Sequence, residues 1–200
     1  MDRLREHTIT LTGERVVLRP MTERDWPLVL AINNDAEIAY FTEGGEWQPY
    51  SLERLQQIYR AISERALMFV MEHEGRAIGE CWLQRMNVQR ILDEFRGQDV
   101  RRIDIAIGVK ELWGKGLGSE AIWLLVQLAF EREGADLLVC FAGGHNPRSR
   151  RAFERAGFSV LRTVPDADDR KSGFSYDLIL TRERYDRARQ AQGTVAAPPA

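Results

Sequence analysis

Residues 102–118 read RIDIAIGVKELWGKGLG, a strand pattern that runs directly into a glycine-rich turn. Apolar residues alternate from Arg102 to Gly108, which is typical of a strand with two different faces. Three glycines then stand at alternate positions in 114–118, and an apolar helix is predicted over 119–133. Backbone N–H groups can converge in such a turn because no Cβ atoms intervene, and a helix N-terminus attracts anions. The stretch therefore predicts a pyrophosphate-binding turn.

Two familiar phosphate-binding motifs do not fit the spacing of this turn. A Walker loop requires GxxxxGK followed by Ser or Thr, whereas Lys115 is followed by glycine. A Rossmann fingerprint requires GxGxxG close to the first strand, whereas this GxGxG has about half of the chain ahead of it. A merely flexible loop is the structural alternative, and the position between a strand and a helix disfavours it.

The composition indicates one ordinary globular domain, with 44% hydrophobic and 29% charged residues in a chain of 200. Its 28 basic and 30 acidic side chains give a net charge of −2, without the basic excess of a nucleic-acid binder. No signal-peptide core is present, and the longest apolar stretch, around Ile122–Phe130, is too short to cross a bilayer. Cys81 and Cys140 lie far apart in apolar runs, which suits a reducing compartment. We therefore expect a cytoplasmic protein with no nucleic-acid or membrane partner.

The remaining patterns predict an α/β (α+β) fold with a mixed sheet and helices on both faces, because early hairpins are followed by a β-α-β unit. Strands are predicted at Arg15–Leu18, Ala66–Met71, Ala77–Gln84, Arg102–Gly108, Leu137–Phe141, Phe158–Val164 and Phe174–Leu180. Helices are predicted from Thr22, from Ser51, over Ser119–Glu133 and over Asn146–Ala156, with loops at 41–50 and 88–100. We expect a single domain over residues 1–186 and a flexible tail over 187–200.

Two motifs in the right order make the chain resemble the GNAT superfamily of acyl-CoA-dependent N-acetyltransferases. The first family motif, [QR]-x-x-G-x-[GA] after a strand, matches at 113–118, with Trp113 in place of Gln or Arg. The second, N-x-x-[AS]-x-x-x-[YF]-E-x-x-G-F, matches at 146–158. The opening at 16–25 is also similar to the family's first strand and helix. The resemblance implies a mostly antiparallel central sheet, flanked by helices and splayed at the acetyl-CoA site.

The resemblance also implies the cosubstrate, acetyl-CoA, and no metal. In the family the pantetheine arm pairs with the splayed strand, which corresponds here to Ala106, Ile107 and Gly108. The pyrophosphate is expected on Gly114, Lys115, Gly116, Leu117, Gly118 and Ser119, and Asn146 is expected to hydrogen-bond the arm near its thiol end. Homodimers are common in the superfamily, so a homodimer is an expected state.

Asp104 is the candidate catalytic residue. The stretch from Arg102 resembles the aminoglycoside 6′-N-acetyltransferases, in which an R-x-[IM]-D strand supplies the acid that engages the accepting amine. The resemblance implies that Asp104 acts as general base or as the anchor of a substrate ammonium. Strand alternation turns its side chain away from the face of the neighbouring isoleucines. An ion pair with Arg101 or Arg102 is the alternative, because a carboxylate within a strand needs a partner.

The other candidates for the acceptor site come from loops. Glu94 and Asp99, together with Asp93, Glu43 and Glu46, are predicted to line an acidic pocket, although each alone is also explained as a surface charge. Trp47 stands in a polar loop flanked by Gly and Pro, where it either stacks on a sugar or anchors the loop.

Phe153 is the main departure from the family pattern. Many members have a tyrosine there, which protonates the departing sulfur, and phenylalanine cannot do so. Because the pKa of a thiol is only about 8.5, the sulfur can leave as a thiolate without an acid to protonate it. Tyr50 and Tyr176 are the tyrosines considered as substitutes, and His145 is expected to be a loop residue.

Three functions are open at this point. The first is acetyl transfer from acetyl-CoA to a primary amine, the 6′-amine of an aminoglycoside small molecule, as in antibiotic resistance. The second is acetylation of the N-terminus of ribosomal proteins or peptides, because Trp-Gly-Lys-Gly is also common in that group. The third is non-catalytic acyl-CoA binding, suggested by Phe153 and by the unusual Gly143-Gly144 loop.

Overall fold

The computed structural model describes residues 3–43, 47–165 and 171–193, which form a mixed sheet with helices on both faces. The strands are β1 (Leu11–Thr12), β2 (Val17–Pro20), β3 (Ala66–His73), β4 (Arg76–Arg85), β5 (Val100–Ile107), β6 (Leu137–Gly143), β7 (Ser159–Pro165) and β8 (Phe174–Thr181). The helices are α1 (Trp26–Asn33), α2 (Ala36–Thr42), α3 (Leu52–Ser63), α4 (Gln89–Glu94), α5 (Leu117–Gln127), α6 (Pro147–Arg155) and α7 (Arg182–Gly193). A π-helical turn, Leu128–Arg132, extends α5.

The strand order is β1-β2-β3-β4-β5-β6-β8-β7, and every neighbouring pair except β5–β6 is antiparallel. This confirms the predicted fold class. The one parallel pair is the one that needs a helical crossover, and α5 supplies it.

The sheet opens between β5 and β6. These strands pair only at Val100↔Leu137 and Arg101↔Leu138, near the start of each strand. The next N–H on that edge, from Ile103, donates to the Cys140 sulfur at 3.3 Å, so a thiol fills the widening gap. Beyond it the two strands part and leave a backbone edge of β5 facing a cleft. This is the splay that the family resemblance implies.

Strand alternation gives β4 and β5 two different faces. Cys81, Leu83 and Ile103 belong to the large core that α5 completes. The opposite face carries Glu80, Trp82, Asp104 and Ala106, in the register Glu80↔Ala106 and Trp82↔Asp104. Helices α1 and α3 cover part of that second face through a separate core around Trp26, Val29 and Tyr59. One face is therefore purely structural, and the other places polar groups beside the splay.

Several local signals in the sequence form as predicted. Thr22 and Asp25 make a capping box at a short 3₁₀ turn, Glu23–Asp25, that leads into α1. The Ser51 hydroxyl accepts from the Arg54 N–H and caps α3. The turn between β3 and β4 has positive φ at Glu74 and Gly75, which fixes the hairpin register.

Three helices correct the sequence-based expectations. Helix α1 ends at Asn33, and helix α2 then runs into the predicted loop, because the Asp35 carboxylate accepts from the Glu37 and Ile38 N–H groups and caps a new helix. Helix α4 lies inside the segment 88–100. Helix α7 continues through the predicted tail boundary at residue 187, and its Tyr185 ring stacks on Phe130 with centroids 5.0 Å apart. Residues 194–200 of that tail lie outside the described residues.

Candidate active site

A cleft of about 840 Å³ lies where β5 and β6 diverge. Its walls come from β4, β5, β6, α1, α2, α5 and α6. Of the residues predicted for the cosubstrate, those lining it are Ala106, Ile107, Gly114, Gly116, Leu117, Gly118, Ser119 and Asn146. The glycine turn, the open edge of β5 and the N-terminus of α5 thus surround one cavity, as the sequence motif predicts.

The glycine turn has backbone geometry that suits an anion. Gly114 and Gly116 have φ of 75° and 87°, in the region that favours glycine, and Gly116 is the N-cap of α5. An ideal Cβ on Gly114 would meet no atom within 4 Å, so the backbone there is open. The unpaired N–H groups at this helix N-terminus can donate to a pyrophosphate.

The turn is supported from its outer side by the residues that connect β1 and β2. Arg15 Nη1 donates to the Lys115 carbonyl at 3.0 Å, and the Arg15 and Val16 N–H groups donate to Glu120 of α5 at 2.7 and 3.0 Å. Lys115 has an exposed side chain and is absent from the cleft lining. Its backbone takes part in shaping the turn, and its side chain lies outside the cavity.

Trp113, which replaces the family's Gln or Arg, has a direct role at the splayed strand. Its indole N–H donates to the Ile107 carbonyl at 2.8 Å and holds the open edge of β5 against the turn. The Gly108 N–H points the other way and donates to the Ile78 carbonyl at 2.8 Å. Gly108 also packs against Ile32 of α1, so it lies behind the cleft wall and does not line the cleft as predicted.

Helix α2 meets α6 across the mouth of the cleft. Asn146 caps α6 by accepting from the Ser149 N–H at 3.0 Å, and its amide donates to the Phe41 carbonyl at 3.2 Å. The Arg148 guanidinium lies over the rings of both Phe41 and Trp113, 4.3 and 4.0 Å from their centroids, and the two rings contact each other edge-on. No local sequence pattern indicates this cluster, because its three residues come from three separate segments.

Asp104 lines the cleft in an ion pair with Arg102. The guanidinium is bidentate, with Nε 2.8 Å from Oδ2 and Nη2 on Oδ1. Gln84 donates to Oδ2 at 2.9 Å. The ion pair that the sequence left open as an alternative is therefore present, and the carboxylate remains in the cleft wall with a fixed orientation.

The structure does not assemble the predicted acidic pocket. Glu94 pairs with Arg162, Asp99 pairs with Arg101, and neither lines the cleft. Glu43 lies on the cleft wall, and Glu46 lies outside the described residues. Each exposed acid in the segment 93–99 has a basic neighbour that sequence spacing alone did not reveal.

Trp47 anchors its loop. Its indole N–H donates to the Asn33 carbonyl at 3.1 Å, and the residue is not part of the cleft lining. Of the two roles considered for it in the sequence, the structure supports the anchoring one.

A buried polar group that the sequence analysis missed lies beside Asp104 on the same face of the sheet. Glu80 is 2% exposed and lines the cleft. Its Oε1 accepts from the Tyr59 hydroxyl at 2.5 Å and from the Asn33 amide at 3.0 Å. Burial raises the pKa of Glu80 to about 7, against the lowering effect of these two hydrogen bonds. The signal was available as a lone carboxylate in the apolar strand IGECWL.

The end of the cleft near Phe153 is apolar. Phe153 is 2% exposed, lines the cleft and packs edge-on against Phe158, with centroids 5.2 Å apart. The Tyr50 hydroxyl donates to Glu43 at 3.3 Å, and the Tyr176 ring lies under Arg150, so neither tyrosine lines the cleft. His145 lines the cleft as a loop residue and contacts the Tyr40 carbonyl at 3.0 Å.

Among the described residues, no group of three or more His, Cys, Asp or Glu side chains is arranged to hold a metal ion. None of the described helices is long and apolar enough to span a bilayer. Cys81 and Cys140 are free and buried, and burial raises the pKa of both thiols.

Comparison with known proteins gives one family and a consistent set of relatives. Residues 15–159 match the acetyltransferase (GNAT) domain family. Aminoglycoside N(6′)-acetyltransferase type 1 from Serratia marcescens is 25% identical over 186 residues, covering 91% of this chain and 90% of the relative. The structure of AAC(6′)-Ib in complex with ribostamycin and coenzyme A superposes with a TM-score of 0.76 at 26% identity, over 88% of this chain and 98% of that one. AAC(6′)-Ib in complex with paromomycin and acetyl-CoA gives 0.76 at 25% identity, over the same shares.

Proposed function

Because the chain belongs to the GNAT family of acetyltransferases, we propose that its acceptor is the 6′-amine of an aminoglycoside antibiotic. Acetyl-CoA-dependent N-acetyl transfer follows from the family and its ligand-bound neighbours, and it rules out the non-catalytic alternative. The acceptor is the inferred part. The observation that carries it is the position of Asp104, from the R-x-I-D strand, on the cleft wall beside the open edge of β5.

The residues of the cleft fit the acetyl donor in three places. When bound, acetyl-CoA supplies an acetyl thioester. The N–H groups around Gly116 suit its pyrophosphate, since they lie at the N-terminus of α5 with no Cβ in the way. None of the described strands pairs with the β5 edge beyond Ile103, so this edge can pair with an extended amide-containing arm. A backbone N–H on that edge can also stabilise the negative charge that develops on a thioester carbonyl oxygen.

Asp104 is the group that we propose engages the accepting amine. Arg102 and Gln84 fix the plane of its carboxylate but do not exhaust its acceptor positions, because two carboxylate oxygens offer about four. An ammonium can therefore be bound in front of the sheet, on the face that carries Ala106. Because Arg102 is paired with Asp104, its positive charge is neutralised and does not repel a cationic acceptor.

Cytoplasmic location and a homodimer stay predictions. The two free, buried thiols are in keeping with a reducing compartment.

The test is release of the CoA thiol from acetyl-CoA in the presence of single amine acceptors. Kanamycin, spermidine and a hexapeptide with a free N-terminus are assayed in parallel at equal concentration. We expect turnover with kanamycin and acetylation at its 6′-nitrogen, identified by mass spectrometry and NMR. Turnover of the peptide alone would move the chain to the N-terminal acetyltransferases, and turnover of spermidine alone would assign it a polyamine acceptor.

A further inference from the structure

Two carboxylates of the sheet, on β4 and β5, line the cleft, and only one of these two is in an ion pair. Asp104 on β5 is paired with Arg102. Glu80 on β4 forms no ion pair within the described part of the chain. The register Glu80↔Ala106 and Trp82↔Asp104 places the two residues diagonally on the same face of neighbouring strands, with their α-carbons about 7–8 Å apart.

Glu80 is held in a way that leaves one oxygen unused. The Tyr59 hydroxyl and the Asn33 amide both donate to Oε1. Oε2 is buried and has no hydrogen-bond partner among the residues that the structure describes. A buried acceptor without a partner costs about 1–3 kcal/mol, so a fold keeps one only where something compensates. Here the oxygen belongs to a side chain of the cleft wall.

We propose that Glu80 takes the proton that the accepting amine must lose, with Tyr59 and Asn33 as the positioning residues that hold its carboxylate. The inference rests on acetyl transfer to an amine but not on which amine is used. Asp104 then anchors the ammonium, and Glu80, one strand away and next to Ala106, is the base. The two roles that the family resemblance implies for Asp104, anchor and base, are thus divided between Asp104 and Glu80.

The step balances without any further reactant. One N–H bond of the ammonium breaks and an O–H bond forms at Oε2 of Glu80. The freed lone pair of nitrogen forms the C–N bond to the thioester carbon, while the C–S bond breaks and its electron pair leaves with sulfur. The second proton of the nitrogen, lost as the amide forms, neutralises the thiolate. Glu80 returns the first proton to solvent, which reaches the open cleft, and no acid at Phe153 is required.

The environment of Glu80 supports a base that works near neutral pH. Its burial raises its pKa to about 7, whereas the Tyr59 hydroxyl stays protonated because burial and the neighbouring carboxylate raise its own pKa well above 10. The charged groups nearby are Glu43, which follows α2, and the Asp104–Arg102 pair on β5. One carboxylate is thus paired with an arginine, and the other is buried without a cationic partner among the described residues. Such different environments are the usual basis for separate roles in a site.

The decisive variant is Glu80→Gln, with Glu72→Gln as matched control. Glu72 is a strand glutamate, paired with Arg19, and is absent from the cleft lining. We expect E80Q to lower kcat by about 100-fold or more, because general bases contribute 10²–10⁴. The KM for the acceptor and CoA binding measured by calorimetry should stay near wild type, as should every parameter of E72Q. The assay uses whichever of kanamycin, spermidine and hexapeptide is acetylated. A lack of turnover with kanamycin therefore counts against the proposed acceptor and not against the role of Glu80.

The pH dependence separates catalysis from a structural role. Wild-type kcat should rise with pH and level off above about 7. The ionisation of an aliphatic amine acceptor, near pH 10, is the same in every variant and does not account for this inflection. The inflection should be absent in E80Q. In Tyr59→Phe the inflection should move to higher pH. The Tyr59 hydrogen bond lowers the Glu80 pKa in the wild type, so its removal raises that pKa. Difference infrared spectroscopy of wild type against E80Q should also reveal one carboxyl that titrates near 7, whether or not any amine turns over.

Two results would overturn the proposal. The first is an E80Q enzyme with kcat within threefold of wild type and an unchanged inflection. The second is a Glu80 carboxyl that titrates below 5 in the folded protein. If E80Q does not fold, the Y59F pH profile decides the matter, since an unmoved inflection in Y59F contradicts the role of Glu80.

Discussion

The two halves of the cleft are built by different means. The half that we propose for the cosubstrate consists of backbone from one continuous stretch, the β5 edge and the glycine turn at 106–119, with Asn146 added at the start of α6. The half that we propose for the acceptor consists of side chains from α1, α3, β4 and β5: Asn33, Tyr59, Glu80 and Asp104. A backbone site leaves a compact motif in the sequence, whereas a side-chain site exists only after distant elements have packed. The halves should therefore respond differently to substitution.

Apart from E80Q, the largest effect should come from the proposed acceptor half, at Asp104. We expect Asp104→Asn to lower kcat/KM for the acceptor by about 100-fold while the Kd for CoA is unchanged. Removal of one partner of a partly buried charge pair typically costs 2–5 kcal/mol in binding and leaves the Arg102 charge facing a cationic acceptor. The loss should fall mainly on KM, in contrast to E80Q. Steady-state kinetics and calorimetry measure the two quantities.

Asp99→Asn is the matched control for this variant. Asp99, like Asp104, is paired with an arginine two residues away, but it is absent from the cleft lining. Its kinetic parameters should match wild type. If D99N lost as much activity as D104N, the loss would come from breaking an ion pair with a β5 arginine and not from the acceptor site.

The same contrast explains how far the sequence could predict the site. The glycine turn, the start of α6 at Asn146 and the alternating strand are local patterns, and the structure brings them to one cavity. Glu94 and Asp99 were assigned to the acceptor pocket on charge alone, but Arg162 and Arg101 pair with them elsewhere. Glu80 was missed because its partners Tyr59 and Asn33 lie in other elements. Ion-pair choice depends on tertiary contacts that a single sequence does not contain.

Helices α2 and α7 were not predicted for the same reason, namely that tertiary contacts stabilise them. Helix α2 has an N-cap in Asp35, but its amphipathic signal is only seven residues long. Helix α7 has a largely polar sequence, and the packing of Tyr185 against Phe130 and Trp123 fixes it against α5 and the π-helical turn that extends α5. Neither helix has a strong period of its own, so tertiary packing decides both.

A smaller effect is expected in the cosubstrate half, at Gly114. Gly114→Val should weaken CoA binding about tenfold, since a side chain in the cleft removes at least one hydrogen bond to a charged phosphate, worth 1.5–3 kcal/mol. Gly75→Val is the control, because both glycines have φ near +75° and nothing within 4 Å of an ideal Cβ. Both variants should lose a similar 1–2 kcal/mol of stability from backbone strain. Equal CoA affinities in calorimetry would exclude Gly114 from the phosphate site.

The smallest effect separates two tryptophans that make the same bond in different places. Trp113 donates its indole N–H to the Ile107 carbonyl at the open edge of β5, and Trp47 donates to the Asn33 carbonyl outside the cleft lining. Phenylalanine at either position removes one hydrogen bond of about 0.5–1.5 kcal/mol. Trp113→Phe should raise the KM for acetyl-CoA about two- to fivefold, because the strand edge that pairs with the arm is no longer held. Trp47→Phe should lower thermal stability slightly and leave both KM values unchanged. A raised acceptor KM in W47F would instead place Trp47 in contact with the acceptor, the role that the sequence first suggested for it.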